Sequence, residues 1–309
     1  MIVQVYEIQK PEEAEQCIEI GVDHVGSVLL HQDEWRLPEI RDLVKLSSGT
    51  DVKNSLIPLF RHADTLYRCI DYYRPDYIHF CESLTDEKGG KQDLAPWIDY
   101  QREMKKRFPE VGIIRSIPIP ESGAGDEFPT LEIAGALEHV SDIFLTDTWL
   151  GKEPVEGYIG ITGKTCNIDM ARELVRASGI PVILAGGLGP ENVFDAVSDV
   201  KSAGADSCTG TNLHDEKEGS LRFRKDFSRV REFVAEIRRA SEALAQEEKR
   251  LANELGRLKD ELDERERALP PHSVKPYQLI AIEELEEEVD LKEKELLKLK
   301  WATGKFERS

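Results

Sequence analysis

The chain has 309 residues, of which 40% are hydrophobic and 33% charged, and its formal net charge at pH 7 is −19. That hydrophobic fraction supports a large core, whereas the acidic balance argues against nucleic acid or an anionic membrane as a partner, since both require basic patches. No apolar run reaches the length of a transmembrane helix, and the first residues lack the layout of a signal peptide.

The five cysteines form neither a CxxC pair nor a spacing typical of a metal site. A scattered set of this kind is typical of buried thiols in a reducing compartment. We therefore expect a cytoplasmic protein with no metal and no cofactor.

Short apolar runs alternate with amphipathic segments over about the first 235 residues. Strands are predicted, in chain order, at IVQVYEI, HVGSVLL, SLIPLF, DYIHFC, VGIIRSIPI, SDIFLTD, PVILAGG and ADSCTG. Helices are predicted at about 11–21, 38–46, 65–73, 96–108, 129–139, 167–178, 190–203 and from about 225. Strands separated by helices form parallel sheets. Eight such units in this length favour an α/β fold of the closed (β/α)8 TIM-barrel type over the alternative, an open sheet with extra helices.

Two of the predicted strands end in loops of small residues. VILAGGLGPENV places Gly186 and Gly187 between strand seven and a helix, and Thr209 and Gly210 follow strand eight. Glycine lets a ligand approach the main chain, and N–H groups at a helix start favour an anion. Phosphate commonly binds in these two loops of (β/α)8 barrels. We therefore predict a phosphate site here, the alternative being two ordinary tight turns.

The pattern changes after Glu236. Apolar residues recur every seven positions from Ile237 to Leu258, and a second apolar repeat runs from Ile282 to Leu299. Such repeats, separated by charged residues, predict coiled-coil helices. A proline-rich break at 269–277 separates the two helices, because proline cannot continue a helix.

The sequence therefore predicts two domains. Residues 1–236 form the phosphate-binding barrel, and residues 237–309 form a two-helix coiled-coil extension. The extension is expected to fold as a hairpin or to pair between subunits, so that the protein forms a homo-oligomer or binds a partner protein through it.

Three stretches carry a family resemblance. TDTWLGKEPVEGYIGITGKTCNID, ILAGGLGPENV and GADSCTG, in this order on strands six to eight, resemble phosphoribosylanthranilate isomerase, a (β/α)8 enzyme of tryptophan biosynthesis. The resemblance covers roughly residues 2–235 and leaves the extension without a counterpart. It implies an Amadori rearrangement of a phosphorylated aminoaldose into an aminoketose. A general acid protonates the ring oxygen in this reaction, and a general base removes the proton at C2.

The resemblance assigns the acid but not the base. Asp147, which ends strand six, matches the family's general acid, and Asp206 matches a second active-site aspartate. The glycine and threonine loops match the family's phosphate loops. The catalytic cysteine of strand one is absent, and QVYE places Tyr6 at its position with Glu7 after it. A tyrosine with a pKa near 10 is a weak base at neutral pH.

Several residues are candidates for the missing base. Glu7 ends strand one, although strand alternation gives Tyr6, not Glu7, the inward parity. The ordinary pKa of histidine suits His79 to proton transfer. The alternative is that His79 is a structural residue of the barrel whose hydrogen bonds are already satisfied. Cys81 shares the face of His79, although burial usually raises the pKa of a thiol.

Two arginines are candidates for binding the substrate. Arg36 approximately matches a family arginine that faces the anthranilate carboxylate, and Arg115 on strand five matches a family lysine. Three readings stay open at this point: an isomerase with a rearranged base, a phosphate-binding barrel with different chemistry on another phosphometabolite, and a non-catalytic sensor of a phosphometabolite whose coiled coil binds a partner.

Overall fold

A computed structural model describes residues 1–122, 128–215, 217, 219–269 and 275–305 of the chain. Its centre is a closed barrel of eight parallel strands, in which each strand pairs with the next and the eighth pairs with the first. The strands are β1 (Ile2–Val5), β2 (His24–Leu29), β3 (Lys53–Pro58), β4 (Tyr77–Phe80), β5 (Gly112–Pro120), β6 (Ile143–Trp149), β7 (Val182–Leu184) and β8 (Gly204–Ser207). The predicted (β/α)8 barrel is confirmed, and the open-sheet alternative is wrong.

Helices follow the strands and cover the outside of the barrel. They are α1 (Pro11–Ile20), α2 (Pro38–Ser47), α3 (Ala63–Tyr73), α4 (Ala95–Arg107), α5 (Thr130–Leu137), α6 (Ile168–Ala177), α7 (Val193–Val200) and α8 (Phe227–Arg267). Local signals set several of their ends. Asn167 accepts a hydrogen bond from the Met170 N–H at the start of α6, and Gly21 ends α1 with a φ of 96°.

The strand period of two divides the core into two layers. Tyr6, Ile114, Leu145 and Ile183 belong to a small cluster inside the barrel. The larger cluster fills the space between the strands and the helices. This division decides which side chains of each strand reach the mouth of the barrel.

A hairpin that the sequence analysis did not predict follows β8. It consists of β9 (Asn212–Asp215) and β10 (Gly219–Lys225), which pair antiparallel and lead directly into α8. The hairpin lies beside the C-terminal ends of β1 and β8, because its residues contact Glu7 and Cys208.

The extension is a pair of antiparallel helices, α8 and α9 (Pro276–Ala302). Most of their buried residues are apolar, and Lys292 forms an ion pair with Glu254 at 3.2 Å between the two helices. Pro276 is the first residue of α9, where its missing N–H costs no hydrogen bond. The other two prolines of the predicted break lie at 270–271, outside the described residues.

The extension is fastened to the barrel at its base. Helix α8 runs without interruption across the predicted boundary at 236 and 237. Beyond that boundary, the Arg238 guanidinium donates to the Met1 and Gly21 carbonyls and to the Asp23 carboxylate. At the other end, Glu248 accepts from Thr303 at 2.7 Å and from Lys305 at 2.6 Å. The end of the extension that lies nearest the barrel therefore packs as part of the barrel's own core.

We expect a chain that ends after Glu236 to lose more than about 2 kcal/mol of unfolding free energy, because it lacks the fully buried side chains of Ile237 and Ala240. Urea unfolding measures this loss. A chain that ends after Arg267 keeps those contacts and should unfold at a higher urea concentration than the shorter chain. Equal midpoints for the shorter and the full chain would contradict this packing.

Candidate active site

The C-terminal ends of the strands enclose two adjoining pockets. The first is a cavity of about 60 Å³ whose wall combines apolar residues with Tyr6, His79, Asp147 and Asp206. The second, of about 40 Å³, lies beside the glycine loops after β7 and β8. Asp147 and Asp206 line both pockets. The two aspartates therefore lie where the mainly apolar first cavity meets the second pocket, which is lined in part by glycine backbone.

The loop that joins β6 to α6 covers the first cavity. The Ile159 N–H donates to the Cys81 carbonyl at 2.8 Å, and the Ser83 N–H donates to the Gly157 carbonyl at 3.0 Å. Arg61 also donates to the Gly157 carbonyl, at 2.9 Å. Tyr158 and Ile159 consequently line the cavity and keep it narrow and apolar.

A continuous series of hydrogen bonds links the end of β1 to the end of β6. The Tyr6 hydroxyl lies 2.7 Å from His79 Nδ1, and His79 Nε2 lies 2.8 Å from the Ser116 hydroxyl. Ser116 donates to Asp147 Oδ2 at 2.8 Å. Ser55 donates to the Tyr6 hydroxyl at 2.7 Å. These side chains come from the residue after β1 and from β3, β4, β5 and β6, and they meet inside the barrel.

The direction of each hydrogen bond follows from its two ends. Ser116 gives its only proton to Asp147, so it accepts from His79 Nε2–H. Ser55 donates to Tyr6, so the Tyr6 hydroxyl donates to His79 Nδ1. This hydrogen-bond network assigns His79 the neutral tautomer with its proton on Nε2. Burial, joined by the nearby Arg115 charge, lowers its pKa to about 3, which agrees with the neutral form.

Tyr6 fits inside the barrel because β2 carries a glycine opposite it. A Cβ at Gly26 would lie 2.1 Å from Tyr6 Cδ1. The tyrosine ring therefore occupies the space that any larger residue on β2 would fill. Burial raises the pKa of Tyr6 well above its ordinary value, and the hydrogen bond from Ser55 opposes this only in part.

The two aspartates titrate near neutral pH. Burial raises the pKa of Asp147 to about 7, against the hydrogen bond from Ser116, and the Glu153 charge adds to the increase. Burial raises the pKa of Asp206 to about 8, against a hydrogen bond from Gln4 and with a further contribution from the Asp147 charge. Asp147 thus carries a proton in a large fraction of molecules at neutral pH, as a general acid must.

The predicted phosphate loops lie together beside Asp147. Gly186 and Gly187 have φ values of 102° and 59°, a region that favours glycine. A Cβ at Gly187 would lie 2.7 Å from the backbone carbon of Lys164 in the loop above. Within the described residues, the backbone N–H groups of Gly187 and Leu188 have no hydrogen-bond acceptor.

A buried lysine supports the loop after β8. Lys225 Nζ donates to the Cys208 carbonyl at 2.7 Å, to Asn212 Oδ1 at 2.6 Å and to the Thr211 hydroxyl at 3.3 Å. Within the described part of the chain it has no carboxylate at ion-pair distance. Its positive charge therefore lies beneath the loop that holds Thr209 and Gly210, where it favours an anion. No motif or spacing in the sequence pointed to this residue.

Glu7, a candidate base, lines the first cavity but uses its carboxylate elsewhere. Oε1 accepts from Arg222 at 2.7 Å, and Oε2 accepts from the Phe223 N–H at 3.2 Å. Asn212 donates to the same oxygen at 3.4 Å. The β9–β10 hairpin supplies all three donors, so Glu7 serves to join this hairpin to β1.

The two arginines expected to bind substrate line neither pocket. Arg115 faces the helix layer, where it forms a buried ion pair with Glu82 at 2.6 Å. Its neighbour Ser116 takes the inward position instead. Arg36 is exposed, and its guanidinium stacks on the rings of Trp35 and Tyr72 at 4.8 and 5.6 Å. Both side chains therefore lie outside the two pockets, and their predicted roles in binding substrate stay predictions.

Two cysteines lie at the mouth of the barrel. Burial raises the pKa of Cys81 well above its ordinary value, with the Glu82 and Asp147 charges adding to the shift. Cys208 lines both pockets, and burial raises its pKa as well. Each thiol is held in its protonated form, which makes it a poor base.

Sequence comparisons connect the whole barrel to one family. A family model described as N-(5'phosphoribosyl)anthranilate (PRA) isomerase matches residues 99–235. The N-(5'-phosphoribosyl)anthranilate isomerase of Aquifex aeolicus is 30% identical over 234 residues, which are 75% of this chain and 96% of that protein. The isomerase of Methanocella arvoryzae is 32% identical over 140 residues, a match that spans 45% of this chain and only 57% of that relative.

Solved structures support the fold. The phosphoribosylanthranilate isomerase of Thermotoga maritima superposes with a TM-score of 0.56 and 19% identity, over 76% of this chain and 98% of that one. The enzyme of Pyrococcus furiosus superposes with a TM-score of 0.53 and 22% identity, over the same shares of the two chains. The Aquifex aeolicus relative is matched over almost its whole length, and its identity is high enough to show common descent. The chain therefore belongs to the N-(5'-phosphoribosyl)anthranilate isomerase family.

Proposed function

We propose that this barrel catalyses an Amadori rearrangement of a phosphorylated N-aryl aminoaldose, as phosphoribosylanthranilate isomerases do, and so acts in tryptophan biosynthesis. The observation that carries the proposal is the position of Asp147. Its carboxyl group, with a pKa near 7, stands between an apolar cavity and a pocket of glycine backbone. A substrate with an aromatic group at one end and a phosphate at the other would place its sugar ring there.

In this proposal, each pocket takes one part of the substrate. Its phosphate lies against Gly186, Gly187 and Thr209, above the charge of Lys225, and Gly210 belongs to the same loop as Thr209. Its aromatic ring lies in the apolar cavity, beneath Tyr158 and Ile159. The Asp147 proton goes to the ring oxygen, the C1–O bond breaks, and the nitrogen lone pair forms an iminium at C1. Asp206, which lines both pockets beside Asp147, binds a sugar hydroxyl in this proposal.

A turnover assay with phosphoribosylanthranilate tests the proposal. Loss of the substrate's fluorescence is followed with the full-length protein, and Asp147→Asn serves as the control. Turnover that depends on Asp147 would support the isomerase. No turnover at any pH between 6 and 9, from protein shown to be folded, would exclude it.

Gly187→Val tests the phosphate pocket. We expect the affinity for a phosphate ester to fall at least about tenfold, because the added side chain would meet the backbone of the β6–α6 loop and displace the N–H groups that face the anion. Calorimetric titration with ribose 5-phosphate measures the affinity. Gly135→Val is the matched control, because no atom lies within 4 Å of a Cβ there. Equal affinities for the two variants would remove Gly187 from the site.

The second candidate is a phosphate-binding barrel with other chemistry, or a sensor of a phosphometabolite. The tyrosine at the family's cysteine position favours it, since neutral tyrosine is a weak base. A protein that binds ribose 5-phosphate without turning over phosphoribosylanthranilate would support this reading.

For the helical extension, we propose a role in association with a second copy or with another protein. Tyr277, Ile280 and Leu291 are exposed on α9 and would supply the contact. Light scattering on the full chain gives its subunit number. All five cysteines are free, which suits the reducing, cytoplasmic setting that we propose. None of the helices in the described ranges is long and apolar enough to cross a membrane.

A further inference from the structure

We propose that Tyr6 replaces the missing cysteine as the group that accepts the C2 proton, and that His79 and Ser116 carry a proton onward from Tyr6 to Asp147. This inference rests on the proposed isomerase function. It assigns a base that sequence comparison does not supply, and it couples that base to the acid through hydrogen bonds of 2.7 to 2.8 Å.

The geometry supplies what such a transfer needs. Each link is within ordinary hydrogen-bond distance, and each has one donor and one acceptor. Tyr6 lines the cavity at the family's base position, directly after the strand next to β8. Ser116 binds only Oδ2 of Asp147, which leaves Oδ1 for the substrate.

The proton balance closes over the reaction. First, Asp147 gives its proton to the ring oxygen and becomes a carboxylate, while the substrate becomes an iminium. The C2–H bond then breaks, its electron pair forms the C1–C2 double bond, and the iminium electrons return to nitrogen. The C2 proton goes to the Tyr6 oxygen as the Tyr6 proton moves to His79 Nδ1. At the same time, the His79 Nε2 proton moves to Ser116, and the Ser116 proton moves to Asp147.

Asp147 is thereby protonated again, and the substrate has become an enol intermediate. The reverse transfer resets the relay: Tyr6 gives its proton to C1, and the protons of His79, Ser116 and Asp147 each move back one place. Asp147 then accepts the proton of the C2 hydroxyl, which leaves the ketone. C2 is oxidised and C1 is reduced within one molecule, so no external oxidant or reductant takes part.

The surroundings favour a concerted transfer. Burial disfavours a tyrosinate at residue 6 and an imidazolium at residue 79. A relay in which every group receives one proton as it gives another forms neither ion. The proton removed from C2 is balanced by protonation of Asp147, whose pKa is about 7. The basicity of Asp147, rather than that of the Tyr6 phenol, therefore determines how readily C2 loses its proton.

Two serine variants test the relay with the same chemical change inside it and outside it. Ser116→Ala breaks the link between His79 and Asp147. Ser202→Ala removes a buried hydroxyl that donates to the Gly204 carbonyl at 2.8 Å and lines neither pocket. We expect Ser116→Ala and Tyr6→Phe to reduce kcat by about 100-fold or more, whereas Ser202→Ala keeps most of its turnover. Equal loss in the two serine variants, or full activity in Tyr6→Phe with loss in Cys208→Ser, would overturn the proposal.

A second readout needs no substrate. In ¹⁵N NMR spectra of the full chain, His79, assigned with His79→Gln, should be neutral with its proton on Nε2. Its shifts should follow the titration of Asp147 near pH 7 in the wild type and in Ser202→Ala, but not in Ser116→Ala. A His79 signal that ignores this titration would overturn the relay. Coupling without turnover in the wild type would instead show that the relay exists and that the proposed isomerase function is wrong.

Discussion

Asp147→Asn is expected to reduce kcat by about 100- to 10,000-fold while the affinity for a phosphate ester stays within about twofold, because general acid catalysis contributes a factor of that size. The amide oxygen introduced by this substitution can still accept the Ser116 hydrogen bond, so the local geometry survives. Stopped-flow turnover and calorimetric titration with ribose 5-phosphate measure the two quantities. Loss of affinity equal to the loss of turnover would make Asp147 a binding residue.

The same variant has a signature in stability. The folded-state pKa of Asp147, about 7, lies above its ordinary value of 3.8. The folded protein therefore holds this proton where the unfolded chain has released it, and stability falls as the pH rises from about 4 to about 7. Asparagine does not titrate. We expect Asp147→Asn to gain stability relative to the wild type over this window and to keep the gain above pH 7, which urea unfolding at pH 5 and pH 8 will measure.

Turnover of the wild type should fall as the pH rises above the pKa of Asp147. The acid must start protonated, so the fraction of competent enzyme falls about tenfold per unit above the Asp147 pKa of about 7. The pH profile of kcat/KM measures this limb. A rate that stays constant from pH 7 to pH 9 would contradict the role of Asp147.

Arg115→Met is expected to reduce the free energy of unfolding by about 3–5 kcal/mol, because it leaves the Glu82 carboxylate buried without its cation. The Arg115 Nε atom already lacks a hydrogen-bond partner among the described residues, so the intact pair is itself incompletely satisfied. Replacing both residues, as Arg115→Met with Glu82→Leu, should therefore recover most of the loss. Urea unfolding of the two single variants and the double variant measures the coupling.

A control and a binding assay separate this effect from substrate recognition. Arg102→Met breaks an exposed ion pair with Asp99 and should change stability by less than about 0.5 kcal/mol. The Arg115→Met variant, measured below its unfolding temperature, should bind ribose 5-phosphate as the wild type does. A selective loss of affinity would restore Arg115 to the binding site.

The sequence by itself determined the order of the barrel's eight strands and their helices and the place of the two glycine-containing loops where we propose that phosphate binds. Both depend on local patterns: alternating apolar runs and helical segments predict βα units, and glycines at the ends of β7 and β8 stand at the usual phosphate position of such barrels. The assignment of Asp147 to the end of β6 follows from the same local pattern together with the family resemblance.

Only the tertiary structure decided which side chains meet. Tyr6, His79, Ser116 and Asp147 come from four strands far apart in the chain, and the register of β4, β5 and β6 brings them into contact. The same register turns Arg115 outward, and the β9–β10 hairpin, which has few apolar residues, takes up the carboxylate of Glu7. Contacts of this kind depend on how closed sheets stagger their strands, and that stagger is a property of the whole barrel that no single segment encodes.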